Sequence, residues 1–107
     1  MTDTILKTKT TEKFKVEEPG LYDVVFLNDN ITPMEFVVKV LKQIFNKDDA
    51  GAEKIMLEVH EQGKGVVGSY PFEIAEQKGI EATMLARNEG YPLQIKVQKS
   101  KKWNQDW

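Results

Sequence analysis

The chain contains no cysteine, which excludes disulfides, thiolate nucleophiles and thiolate metal ligands. Its single histidine is His60; a structural zinc site needs cysteines or several histidines. There is no basic excess either. Fifteen Lys and Arg stand against 17 Asp and Glu, a formal charge of −2, without the cationic surplus that nucleic-acid backbones and anionic membranes select for. No apolar run approaches the ~20 residues needed to cross a bilayer. The opening MTDTILKTKTTEKFKVEEPG lacks the continuous apolar stretch of a secretory signal. What remains is a soluble, cytoplasmic protein of 107 residues, enough for one domain.

What is present divides into an arm, a core and a tail. Residues 1–20 scatter Ile5, Leu6 and Phe14 among Thr, Lys and Glu. Such a composition cannot bury enough surface to offset its ordering entropy, so a flexible arm is expected up to Pro19-Gly20. LYDVVFL, residues 21–27, is β-branched and aromatic and reads as a strand. Thr32, Pro33 and Glu35 then spell a helix start: Thr32 as N-cap, Pro33 at the first helical position and Glu35 closing a capping box. The helix PMEFVVKVLKQIFNK follows, apolar except for a stripe of Glu35, Lys39, Lys42 and Asn46.

A second helix starts at Asp48 or Asp49, buries Ala52, Ile55, Met56 and Val59, and stops at Gly63. GKGVVGSY, residues 63–70, is a second strand. A third helix opens at Pro71 and runs to about Asn88, carrying an internal Gly79 that costs about 1 kcal/mol relative to alanine. In YPLQIKVQ, Leu93, Ile95 and Val97 alternate with Gln94, Lys96 and Gln98, the mark of a strand with one wet face. The order β-α-α-β-α-β predicts an α+β fold: a single small domain over residues 21–98, with three helices packed on a three-stranded antiparallel sheet. Residues 99–107 form a polar tail around Trp103 and Trp107.

The stretch FLNDNITPMEF, residues 26–36, admits two readings. Asn28, Asp29 and Asn30 are turn formers whose side chains bond to nearby backbone. Asn28 and Asp29 can equally be acceptors held out to a ligand. Catalysis finds no support: the candidate nucleophiles Thr32 and Ser69 sit on no nucleophile elbow. His60, Asp29 and Glu58 or Glu61 show no metal-ligand spacing. The chain reads as a non-enzyme without metal or cofactor.

Taken together, VVFLNDNITPMEFVVKVL, MLEVHEQGKGVVGSY and EIAEQKG closely resemble the ClpS adaptor family. The likeness runs from about Tyr22 to Val97 with its spacings intact. It implies an adaptor, monomeric, that binds the N-terminal residue of N-degron substrates and hands them to the AAA+ unfoldase ClpA for degradation by the ClpAP protease. Asn28, Asp29 and His60 match the family's clamp for the substrate α-amino group. Phe26, Thr32, Met34, Val37, Met56, Val59 and Leu93 match positions lining or bordering its pocket for Phe, Tyr, Trp or Leu, and Glu73 and Lys78 match residues facing the unfoldase.

The alternative within the same family is a ClpA-binding regulator that alters substrate choice without delivering N-degrons. Three positions depart from the common pattern. Asn30 stands where a second Asp is frequent, Ile31 where an aromatic residue or His is, and Glu61 where an aromatic is.

Overall fold

The computed structural model describes residues 20–100. The arm expected over residues 1–20 lies outside them except for Gly20, and so do Trp103 and Trp107 of the tail. Six elements occur in the expected order: β1 (Tyr22–Leu27), α1 (Met34–Gln43), α2 (Asp49–Gln62), β2 (Lys64–Tyr70), α3 (Phe72–Asn88) and β3 (Gln94–Lys99). The three strands form one antiparallel sheet in the order β2-β1-β3.

Alternation along the strands decides which face meets the helices. Val24 and Phe26 of β1 are fully buried and stand opposite Val97 and Ile95 of β3. On the other side, Phe26 faces Gly65 of β2. An added Cβ at Gly65 would lie 2.9 Å from Val59 Cγ2, so only glycine lets α2 pack this close to the sheet. A bulge between Val24 and Val25 offsets the pairing with β2 and keeps Val67 in the core. Phe36, Val40, Leu41, Ala52, Val59, Ala75, Ala82 and Ala86 of the three helices complete that single apolar cluster.

The start of α1 differs from the expected capping box. Pro33 occupies the N-cap position and no side chain caps the helix. Its carbonyl accepts from the Phe36 and Val37 N–H groups at 3.0 and 3.2 Å. Thr32 is not the cap: its hydroxyl is turned to the Asp29 carboxylate, to which it donates, and accepts from no helix N–H. The helix also ends at Gln43 rather than continuing to Lys47. Asn46 turns left-handed at φ 55°, and the Lys78 ammonium donates to the Ile44 carbonyl at 2.9 Å. Breaking the helix there swings Phe45 into the core, edge-on to Phe26 with ring centroids 5.6 Å apart.

The other helix ends are simpler. Asp48 caps α2 by accepting from Gly51 N–H at 2.8 Å, while Asp49 pairs with Lys42. Gly63 ends α2 in the left-handed conformation, φ 90°. Gly90 does the same after α3. There the Tyr91 N–H reaches the Ala86 carbonyl and the Gly90 N–H that of Arg87, a Schellman closure.

Candidate functional site

The site begins where β1 runs out. Asn28 donates its N–H to the Gly63 carbonyl at 2.9 Å, which ties the strand's exit to the end of α2. His60 occupies the last turn of that helix. Residues distant in sequence are thereby held beside one another, with the Asn28 and His60 residues both exposed.

Asp29 organises the next turn. Its Oδ1 accepts the N–H groups of Ile31 at 2.8 Å and Thr32 at 2.7 Å, and its Oδ2 accepts the Thr32 hydroxyl at 2.8 Å. Partial burial raises the carboxyl's pKa. The bonds from Thr32 and Ile31, together with the Arg87 charge, outweigh this and hold it below the usual carboxylate range. The aspartate is therefore ionised and fixed in orientation. A carboxylate offers about four acceptor directions; the three bonds leave one on Oδ2.

These groups wall a small recess of about 10 Å³, room for about one water molecule. Asn28, Asp29 and Thr32 contribute from the loop and His60 from α2. The apolar side comes from Met34 and Val37 of α1, Met56 and Val59 of α2, and Leu93. Val37, Val59 and Leu93 are buried and rigidly packed, whereas Met34 is 44% exposed and Met56 is half-buried. Met34 is thus a rim residue and not part of the core.

Phe26 does not line the recess. Its side chain points into the core at 0% exposure, and Leu27, the next residue on the strand, takes that place. Strand alternation contains this signal: if Phe26 points inward, its neighbour points elsewhere. Arg87 carries no signal in the sequence, where it is one more cation on the exposed side of a helix. Of the pair matched to an unfoldase contact, Glu73 is exposed. Lys78 is partly buried, bonded to Ile44 and 5.8 and 5.6 Å from the ring centres of Phe45 and Tyr70. Among the described residues, no group of three or more His, Asp or Glu converges to hold a metal ion, and no helix is long and apolar enough to cross a membrane.

Comparison with known proteins agrees on one family. The sequence model of the ATP-dependent Clp protease adaptor protein ClpS matches residues 17–96. The ATP-dependent Clp protease adapter protein ClpS of Phenylobacterium zucineum is 48% identical over 90 residues, covering 84% of this chain and 83% of the relative. Its counterpart in Deinococcus radiodurans is 45% identical over 89 residues, 83% and 79% of the two chains. Among solved structures, Agrobacterium tumefaciens ClpS2 bound to L-phenylalaninamide superposes with a TM-score of 0.75 and 38% identity, covering 78% of this chain and all of that one. The chain therefore belongs to the ClpS family of Clp protease adaptors and is an adaptor, not an enzyme.

Proposed function

We propose that the recess receives the first residue of N-degron substrates, and that the chain, as a cytoplasmic monomer, delivers them to a ClpA-type unfoldase for degradation by ClpAP. The observation that carries this reading is the convergence of polar acceptors and apolar walls on one recess. A free α-amino group is a cation with three N–H donors. It needs three acceptors, and the Asn28 side-chain oxygen, the remaining direction on Asp29 Oδ2 and a His60 ring nitrogen supply them. Such charge-assisted bonds contribute about 1.5–3 kcal/mol each.

Selectivity follows from the walls. Burying a Phe or Leu side chain contributes about 2–3 kcal/mol, yet the recess as it stands has room for about one water molecule. Entry therefore requires the wall to move, and the unbranched Met34 and Met56 are the members able to change rotamer. Rigid Val37, Val59 and Leu93 then define the depth. Met34 at the rim crowds the Cβ of an entering residue, so Phe, Tyr, Trp and Leu are favoured over Ile and Val. L-phenylalaninamide, bound by the Agrobacterium relative, joins a free amine to a benzyl side chain, the two features this reading requires.

Delivery places the unfoldase against α3, with Glu73 presented to solvent and Lys78 offering the donors not used by Ile44. The test is turnover of a Phe-initiated reporter by purified ClpA and ClpP. The chain should accelerate it, and Asp29→Ala should abolish the acceleration. Turnover that the wild-type chain leaves unchanged or slows would contradict delivery and favour the regulator.

A further inference from the structure

The last turn of α3 carries a side chain that reaches back toward the recess without entering it. Arg87 Nη1 donates to the Tyr91 carbonyl at 2.9 Å and to the Leu93 carbonyl at 2.8 Å. These acceptors flank Pro92, in a stretch that belongs to no helix or strand. Proline contributes no N–H of its own, so Pro92 adds no backbone donor to the bond that Tyr91 makes with Ala86. The Tyr91 ring meets Phe36 of α1, centroids 4.9 Å apart, and Leu93 is 1% exposed with its side chain in the recess wall. The guanidinium thus braces the part of the wall that α1, α2, β1 and the loop after it do not supply.

We propose that Arg87 is a positioning residue for first-residue recognition: by gripping the carbonyls on either side of Pro92, it fixes Leu93 against the recess and sets how tightly an apolar first side chain is held. The inference rests on the N-degron reading. Arginine suits the task better than lysine because the two N–H bonds of its Nη1 are fixed in one plane and meet both carbonyls, whereas an ammonium rotates freely on a flexible stem. The same charge favours the ionised state of Asp29, so one side chain supports both the apolar wall and the polar loop. A purely structural role would look different. It would stabilise the end of α3 and leave the affinity of the folded protein unchanged.

Fluorescence anisotropy with a labelled peptide beginning in Phe separates the two, using the full chain at a temperature where circular dichroism shows each variant folded. Arg87→Ala should raise Kd about tenfold, the equivalent of one to two ordinary hydrogen bonds. Arg87→Lys should recover part of the loss, since an ammonium can reach one of the carbonyls. In a Leu93→Ala background, Arg87→Ala should add less than about twofold, because residues acting through one another are not additive. If Arg87→Ala fails to fold, Arg87→Gln replaces it in the same cycle. A folded variant that binds within about twofold of wild type, even with a lowered Tm, overturns the proposal, as does full additivity with Leu93→Ala. A wild-type chain that ignores the peptide defeats the N-degron reading and this inference with it. Wild-type binding with an unaffected variant defeats this inference alone.

Discussion

Replacing Thr32 with valine deletes one hydroxyl and nearly preserves the side chain's shape, isolating the bond that orders the Asp29 loop. The Thr32 Oγ1 to Asp29 Oδ2 bond is 2.8 Å long. Hydrogen bonds to charged groups contribute about 1.5–3 kcal/mol when buried. Both residues are only half-buried, water can replace the lost donor, and the backbone bonds to Oδ1 persist, so the expected loss is about 1 kcal/mol. The pH dependence has a definite sign. Asp29 titrates below its unfolded value in the native state, so it stabilises the fold above the unfolded pKa of about 3.9. That stabilisation is lost as pH falls through the lower native value. Thr32→Val raises the native value toward the ordinary one. The stability gap between wild type and variant should therefore be full at pH 7 and shrink as the carboxylate protonates. Urea denaturation across this range, with an NMR titration of the Asp29 carboxyl, measures both quantities. An unmoved Asp29 titration, or a gap equal above and below it, would refute the reasoning.

Two glycines give opposite expectations. Gly79 lies inside α3, and an added Cβ there would sit 3.5 Å from Val97 Cγ2 and 3.7 Å from Ile95 Cγ2, which is ordinary contact. Gly79→Ala should therefore stabilise by about 1 kcal/mol, seen as a rise in Tm of about 4–8 °C; a fall would mean the helix and β3 cannot share that space. Gly65→Ala drives its Cβ to 2.9 Å from Val59 Cγ2 and should cost about 1–3 kcal/mol. Because Val59 lines the recess, affinity for a Phe-initiated peptide should fall too. A neutral melt and unchanged binding would show that the seam between α2 and β2 can spread.

The element order was legible because periodicity survives in a short chain: alternation in residues 93–97, helical spacing at Ala52, Ile55, Met56 and Val59, and glycine stops at Gly63 and Gly90. The ends of α1 were not. Thr32 had two possible partners, a helix N–H and the Asp29 carboxylate, and nothing local in the sequence ranks them. The other end is set by Lys78, 34 residues away from Ile44, a contact invisible to any local pattern. At the site, composition alone left Asn28 and Asp29 as turn residues, and in part they are, since Asp29 holds its own loop. The motif joining them to His60 and Met34 gave the functional reading, and the fold brings all four to one recess. Phe26, matched to a position lining or bordering the pocket, turns its side chain into the core, and Leu27 reaches the wall. Arg87 is not legible in the sequence, because the carbonyls within its reach are set by how the chain turns after α3.

Recognition of a free amine is the central claim, and one pair of titrations tests it most directly. Two peptides identical except for a free or an acetylated N-terminal Phe are titrated against the full chain. Acetylation keeps the benzyl group and removes the charge and two of the three donors. Loss of two charge-assisted bonds, at least about 3 kcal/mol together, predicts a Kd more than about 100-fold weaker. Equal affinity for the two peptides would contradict an amine clamp at Asn28, Asp29 and His60.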